Sequence, residues 1–163
     1  MPRTRQPRQA GVVCMNAISV LDSEYETELR MLLLMYALDR PATIDYLAAF
    51  DTLSVNARTL HVGQTNLNGA HRLASGELKT RISLARGALR TLILKGLVEL
   101  LPGDNGLAYQ LTATGITAAN RLNSPYASAL FLSAIDVLET INTVDDAIIT
   151  SYVAKQSNQG GQQ

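Results

Sequence analysis

The side chains that could perform chemistry are few and widely spaced in this sequence. His61 and His71 fall in a segment without a regular pattern, and no cysteine or cluster of acids lies near them. Because a metal site needs three or four ligands in a suitable geometry, these histidines do not predict one. Asp145 and Asp146 are adjacent, so their side chains would diverge on a helix. Their charge is better explained by the positive N-terminal end of a helix.

Nucleophilic and phosphate-binding chemistry is not indicated either. Cys14 is the only cysteine, and no general base stands near it, so we interpret it as an incidental thiol. Gly63, Gly69 and Gly76 do not form a phosphate-binding loop, because no strand precedes them and no Gly-Lys-Ser/Thr follows. We therefore predict a protein that is not an enzyme and that holds no metal or cofactor.

A basic helix is the strongest candidate for a binding element. Residues 75–98 (SGELKTRISLARGALRTLILKGLV) predict an amphipathic helix that ends at Gly96. Lys79, Arg86 and Arg90 run along one flank, roughly 100° from the apolar stripe. They could contact DNA or phosphate, since such contacts use Arg and Lys that reach base edges or phosphates. The alternative is a solvated helix flank.

Both ends of the chain are predicted to lie outside the folded domain. Residues 1–20 form a flexible basic arm, which is either a solvated terminus or a contact for phosphate or an acidic partner. Its arginines are Arg3, Arg5 and Arg8. Residues 154–163 are rich in Gln, Gly, Ser and Asn, which predicts a disordered tail. Residues 21–153 then make a single domain.

The composition favours a cytoplasmic protein without membrane contact. The chain has 163 residues with 14 basic and 14 acidic side chains, and a net charge of zero argues against a large phosphate-neutralising surface. A single thiol makes no internal disulfide, which fits a reducing compartment. The longest apolar run, residues 31–38, is too short to span a bilayer. We expect no small-molecule substrate.

Apolar periodicity and helix breakers predict a mainly helical chain with one β-hairpin. Ser23 and Glu26 have the form of a capping box at the start of the first helix, and Pro41 ends that helix. Later helices are predicted to be capped by Thr43, Thr112 and Ser124. The predicted helices lie near residues 22–40, 44–50, 75–96, 112–122, 124–141 and 147–153. The predicted strands are 97–101 and 107–111, joined by a five-residue loop.

Two regions are predicted to face a partner. Residues 51–74 lack periodicity, and so long an irregular connection is often functional. The first helix is apolar nearly all round, which implies burial on more than one side, and one of those sides could be covered by a partner. The residues predicted for this interface are Met31, Leu34, Met35, Leu38, Leu60, His61 and Leu67.

The order of elements predicts the fold class. A helix pair, a third helix and a two-stranded wing make a winged-helix domain, to which C-terminal helices are added. Winged helices that read the major groove usually have a tight turn before the third helix, whereas here a long segment intervenes. The predicted wing loop carries Asp104 and no Lys or Arg. Protein contact is therefore favoured over sequence-specific DNA reading.

Several segments resemble the middle component of bacterial ABC-three-component systems, a group that overlaps the Lamassu anti-phage defence systems. They occur in order between about residues 28 and 132. The segments are Glu28-Leu29-Arg30-Met31-Leu32-Leu33-Leu34, Ser75-Gly76-Glu77-Leu78 with Arg81, Lys95-Gly96-Leu97-Val98-Glu99, Tyr109-Gln110-Leu111-Thr112, and Ser124-Pro125-Tyr126-Ala127 with Leu130.

The resemblance implies a small, non-catalytic subunit of a cytoplasmic bacterial hetero-oligomer. In that family the middle component is encoded between an effector and an ATPase similar to SMC proteins. The implied role is to dock on the ATPase and to help couple DNA or phage sensing to release of the effector, with DNA contacted through the complex. The alternative that the residues leave open is a stand-alone winged-helix transcriptional regulator that binds operator DNA as a dimer.

Overall fold

The computed structural model describes residues 23–69, 77–142 and 145–159. Within these ranges the chain forms six helices and one antiparallel two-stranded sheet. The helices are α1 (Glu24–Leu38), α2 (Ile44–Val55), α3 (Glu77–Leu94), α4 (Ala113–Asn120), α5 (Pro125–Ile141) and α6 (Asp146–Gln159), and the strands are β1 (Val98–Gly103) and β2 (Gly106–Leu111). The predicted fold class is confirmed: the chain is mainly helical with a hairpin, consistent with a winged-helix-like fold.

The first helix begins and ends where local signals predict. The Ser23 hydroxyl accepts a hydrogen bond from the Glu26 amide at 3.2 Å, so it caps the start of α1. At the other end Asp39 takes a left-handed conformation with φ 51°, and its amide donates to the Met35 carbonyl at 3.1 Å. Pro41 follows and disfavours helical backbone at the residue before it. Local chemistry therefore fixes both ends of α1.

The second helix is longer than predicted. Thr43 caps its start, as predicted, by accepting a backbone amide of the first turn at 3.2 Å. The helix then continues to Val55, five residues beyond the predicted end. Its second half includes Asp51, Thr52 and Ser54, which are buried and which interrupt the apolar period. The prediction of an irregular connection from residue 51 is therefore wrong for this part, because these polar side chains face the protein interior.

The connection after α2 folds back on itself. The Leu67 amide donates to the Val55 carbonyl at 2.9 Å, and the Val62 amide donates to the Ala57 carbonyl at 2.8 Å. Val62 is buried, so this segment contributes to the core. The remainder of the predicted loop, residues 70–76, lies outside the described residues.

The third helix ends at a glycine and leads into the hairpin. Gly96 adopts φ 70° and closes the helix in the left-handed conformation that the sequence predicts. The two strands pair in a register that extends to Gly103 opposite Gly106. The turn consists of Asp104 and Asn105, with Gly106 at φ 117°, a conformation that favours glycine. The prediction of a five-residue loop is wrong, because the strand pairing continues through the residues that flank the turn.

A third extended segment, which the sequence pattern did not reveal, ties the hairpin to the helices. Ala42, between α1 and α2, forms an isolated antiparallel bridge with Tyr109 of β2. The two residues exchange both backbone hydrogen bonds, at 3.1 and 2.8 Å. After β2, the Thr112 hydroxyl donates to the Gly96 carbonyl at 2.8 Å. The hairpin is therefore attached to the helical part along β2 and at its base.

The fourth helix approaches the start of the hairpin closely. Thr112 caps α4 by accepting the Gly115 amide at 3.1 Å, as predicted. A β-carbon on Gly115 would lie 1.9 Å from the Leu97 carbonyl oxygen. Helical periodicity over residues 112–122 predicts that Ile116 faces the interior, whereas it is 46% exposed. That prediction is wrong, because α4 turns Gly115 toward the hairpin and thereby directs Ile116 to solvent. The helix ends at Asn120.

The fifth helix closes the core over α1 and α2. Ser124 caps it and Pro125 occupies its first turn, both as predicted. Leu130 is fully buried on its inner face. The Ser133 hydroxyl, also buried, donates to the Ser54 carbonyl at 2.6 Å and so joins α5 to the end of α2.

The sixth helix is anchored by two adjacent acids. Asp145 caps it by accepting a backbone amide at 2.8 Å, which confirms the predicted role of negative charge at this helix start. Asp146 accepts a hydrogen bond from the Thr43 hydroxyl and so joins α6 to the start of α2. The helix continues to Gln159, so the disorder predicted from residue 154 onward is wrong for residues 154–159.

The core is built from aliphatic side chains around α1, which contacts α2, α3, α4 and α5. These contacts on several sides account for the apolar character of α1 around most of its circumference. Among the described residues, no helix taken singly has both the length and the apolar character needed to cross a membrane. Two consecutive helices reach that length and apolar character only when they are taken together, and the chain bends by 102° between them. They are Pro125–Ile141 and Asp146–Lys155.

Two helical glycines give a matched test of the packing of α4. We expect Gly115→Ala to destabilise the protein by about 2 kcal/mol or more, since a backbone carbonyl would have to move to relieve the overlap. Gly87→Ala in α3 should instead stabilise by about 0.5–1 kcal/mol, because alanine is the better helix former and its β-carbon would meet only Glu24 Oε1 at 3.8 Å. Urea unfolding of both variants measures the difference. If both substitutions changed the free energy of unfolding by the same amount and in the same direction, the close approach of Gly115 to the Leu97 carbonyl would be contradicted.

Candidate functional site

The most constrained side chains form a buried ion cluster where α1, α2 and α3 meet. Asp51 of α2 is 1% exposed and accepts hydrogen bonds from two arginines. Arg30 Nε of α1 lies 2.9 Å from one carboxylate oxygen of Asp51, and an Arg81 guanidinium nitrogen of α3 lies 3.1 Å from the other. Both arginines are buried as well. Because a buried charge is tolerated only when it is paired, the three side chains fix one another's positions.

Further polar groups complete the cluster. A second Arg81 nitrogen lies 3.6 Å from Glu77 Oε1 one turn earlier, and Arg30 donates to the Thr27 hydroxyl at 3.3 Å. The phenol of Tyr126, at the start of α5, lies beside the cluster. Burial raises the pKa of Tyr126, and the positive charge of Arg30 acts in the opposite direction. The two arginines are thereby balanced by two carboxylates, and the phenol is neutral at pH 7.

Three of the segments that carry the family resemblance meet at this cluster. They contribute Arg30, the pair Glu77 and Arg81, and Tyr126, which are distant in the chain and adjacent in the fold. Sequence reasoning did not single out Asp51, to which they converge. The available signal was weak: one acid in a stretch without other charged side chains, just after a predicted helix.

A second ion pair joins the end of α3 to α1. Lys95 Nζ lies 2.6 Å from Glu28 Oε2, with Glu28 buried and Lys95 half-exposed. From its position at the end of the predicted helix, the sequence predicts that Lys95 interacts favourably with the negative end of α3. Its direct partner is a side chain of another helix, so this residue also positions α3 against α1.

The basic flank predicted on α3 is solvent-exposed. Lys79, Arg86 and Arg90 are exposed, while Ala85 and Leu89 on the opposite side are buried. Among the described residues, no acidic side chain forms an ion pair with any of these three cations. Their charges are therefore available to a ligand. The other cations predicted for phosphate contact, Arg3, Arg5 and Arg8, lie outside the described residues.

The wing offers no cations beside this basic flank. Strands β1 and β2 and their turn contain no Lys or Arg, and Asp104 stands at the tip. The side chains of Leu100 and Leu107 are 43% and 61% exposed. Surface of this kind is better suited to protein contact than to phosphate.

Most of the side chains predicted to face a partner are buried by the chain itself. The buried ones are Met31, Leu34, Met35, Leu38 and Leu60. The expectation that they form an exposed interface is corrected accordingly: α3 and α5 cover α1 from two sides and account for its apolar excess. His61 is exposed and Leu67 is half-buried, so these two remain accessible.

A polar groove of about 480 Å³ lies between the connection after α2 and the end of α5. Its charged and polar lining includes Arg58, His61, Gln64, Asp136 and Glu139. His61 adopts the left-handed conformation with φ 57°, which histidine visits more often than most residues. The groove carries both signs of charge, so it suits a polar protein surface rather than a purely anionic or cationic ligand.

An apolar groove follows α1 along the end of α4 and the start of α5; we call it the α1–α5 groove. It consists of two adjoining hollows of about 330 and 310 Å³, which share Leu33, Leu122 and Ala127. The first hollow is completed mainly by Glu26, Leu29 and Tyr126. The second is completed mainly by Tyr36, Phe131 and Leu132. The Tyr36 and Phe131 rings are 6.1 Å apart and form one wall.

The described part of the chain brings no group of three or more His, Cys, Asp or Glu side chains together in a way that could hold a metal ion. Of the isolated residues considered for chemistry, Cys14 and His71 lie outside the described residues. His61 lines the polar groove, and the two acids at the start of α6 serve as a cap and an anchor.

Removal of the central charge of the ion cluster should be costly. Asp51→Asn leaves Arg30 and Arg81 buried without a full counter-charge, and we expect a loss of about 3–5 kcal/mol in the free energy of unfolding. The matched control, Asp104→Asn, makes the same charge change at an exposed turn and should alter stability by less than about 0.5 kcal/mol. Chemical denaturation measures both. If Asp51→Asn and Asp104→Asn had similar free energies of unfolding, the cluster would not constrain the helices.

Comparison with known protein families identifies a family model that matches most of the chain. The family model described as ABC-three component (ABC-3C) system Middle Component 2 matches residues 20–163, which include every described helix and strand. No curated protein and no solved structure matches the chain. Because the family match covers the ion cluster, the basic flank and both grooves together, the chain belongs to the ABC-three component system Middle Component 2 family.

Proposed function

We propose that this protein is a non-catalytic accessory subunit that docks on an SMC-like ATPase in a bacterial anti-phage defence complex of the Lamassu type. In that role it helps couple sensing of DNA or phage to control of an effector subunit. Membership of the middle-component family is the observation that carries the proposal, because a middle component works beside the other components of its system.

The surface of the molecule supports a role in protein contact. The wing is free of cations and exposes Leu100 and Leu107, and the polar groove presents His61 among charges of both signs. The ion cluster holds α1, α2 and α3 in a fixed arrangement, so these surfaces are presented rigidly. We place the contact with the ATPase at the polar groove and the adjacent connection with Leu67.

Co-expression with the two genomic neighbours tests this proposal. A tagged copy of the chain should capture a large coiled-coil ATPase in stoichiometric amount, identified by mass spectrometry. Glu139→Lys at the polar groove should weaken capture at least tenfold, since it reverses a charge in the contact. Glu99→Lys, the same reversal at an exposed position of β1, should leave capture unchanged. A chain recovered alone from a soluble co-expression would refute the proposal.

A second candidate function is a stand-alone winged-helix regulator that binds operator DNA. The observation in its favour is the exposed α3 flank of Lys79, Arg86 and Arg90, which have no ion-pair partner among the described residues. Against it stand the cation-free wing and the long connection of residues 56–76 before α3. These features favour phosphate contact within a larger complex over base reading.

A gel shift at stated salt concentrations separates the two functions. We expect weak, sequence-independent DNA binding with a Kd of about 10⁻⁴–10⁻⁶ M at physiological salt. Arg86→Ala with Arg90→Ala should reduce the salt slope by roughly 2, as two phosphate contacts are lost. The control, Arg58→Ala with Arg121→Ala, removes the same charge away from α3 and should leave the salt slope unchanged. Tight binding to the protein's own promoter that persists at high salt would establish the regulator instead.

A further inference from the structure

The α1–α5 groove is an apolar surface that no described segment covers. In the sequence an apolar stretch, residues 12–21 (VVCMNAISVL), precedes α1 and contains no charged side chain. The described chain begins at Ser23, the cap of α1, and the groove opens at Glu26 and Leu29 within the first two turns of that helix. The apolar stretch is therefore tethered at the mouth of the groove.

We propose that residues 12–21 bind in the α1–α5 groove of the same molecule. Along α1 the groove extends from Glu26 to Tyr36, a rise of about 15 Å at 1.5 Å per residue. A ten-residue stretch covers about 15 Å when helical and up to roughly 33 Å when extended. Residues 12–21 are thus long enough to fill the groove from its mouth to the wall formed by Tyr36 and Phe131.

A buried polar atom at the mouth of the groove points to an occupant that brings a hydrogen-bond donor. Glu26 Oε2 is buried and, among the described residues, has no hydrogen-bond partner. An unsatisfied carboxylate oxygen in such a position is unfavourable. The residues immediately before Ser23 would pass this atom on their way into the groove. Their backbone amides, or the Ser19 hydroxyl, would supply the missing donor.

The rim of the groove also indicates that something covers it. Leu132 is 64% exposed and Tyr126 is 37% exposed, although each lines one of the two hollows of the α1–α5 groove. A tethered segment acts at an effective concentration on the order of millimolar, so even a weak apolar contact is occupied within one chain. A free segment of equal affinity from another molecule would need that concentration in solution. Continuity of the chain thus selects the intramolecular occupant.

The only cysteine, Cys14, lies within the proposed segment and reports its position in the full chain. Its rate of reaction with a maleimide should be at least tenfold slower in the native protein than in the Leu29→Asp variant, whose charge would expel the segment. Leu94→Asp, the same replacement at a 79% exposed position of α3, should keep the slow rate. Equal rates in the native protein and in Leu29→Asp would overturn the proposal.

A disulfide measurement identifies the occupant independently of Leu29→Asp. Ser128→Cys places a thiol on the lining of the second hollow, and Ser83→Cys places one on the exposed side of α3. Mild oxidation should join Cys14 to position 128 within one chain and leave position 83 free. Disulfide-linked dimers through position 128 would assign the groove to a second copy. Protection of Cys14 that arises only after addition of the ATPase would assign it to that partner, and both results would overturn the intramolecular proposal.

Discussion

The arrangement of the helices depends on one buried carboxylate. Asp51 lies where water cannot reach it, and a charge in that position requires counter-charges at hydrogen-bond distance. Arg30 and Arg81 supply them from two other helices. The helices α1 and α3 must therefore each place one arginine beside Asp51. A slip of α3 by one turn would move Arg81 by about 5.4 Å and break its ion pair with Asp51, which would leave Arg30 as the one remaining counter-charge of that carboxylate. Such a cluster adds little net stability, but it makes alternative packings of the helices unfavourable.

The local signals in the sequence predicted local structure well. Ser23, Thr43, Thr112 and Ser124 were all expected to cap helices, and each accepts a backbone amide in the first turn of its helix. Capping depends on residues three apart, so it can be read without knowledge of the fold. The same holds for Gly96, whose left-handed conformation is required by the helix end that precedes it.

Features that depend on contacts between distant residues could not be predicted in this way. Asp51, Thr52 and Ser54 suggested a loop, whereas they are buried in α2. The partners of Asp51 lie on other helices, and the Thr52 hydroxyl donates to the Ala48 carbonyl on the preceding turn. The apolar excess of α1 suggested a partner, since nothing in the sequence said that both α3 and α5 would cover it. On α3 helical phase set Lys79, Arg86 and Arg90 on one flank, and these three face solvent, but it did not show that Arg81 serves a buried cluster. The candidate binding flank was therefore predictable from helical phase, and the residue that organises the fold was not.

The bridge between Ala42 and Tyr109 has a consequence for how this protein behaves at high concentration. It covers part of the outer side of β2, so among the described residues β1 is the open edge of the hairpin. An open edge can recruit strands from neighbouring molecules and start aggregation. Pro102 occupies this edge and has no amide hydrogen to offer an incoming strand. The short hairpin can thus expose leucines at its surface for recognition while remaining a poor template for uncontrolled strand addition.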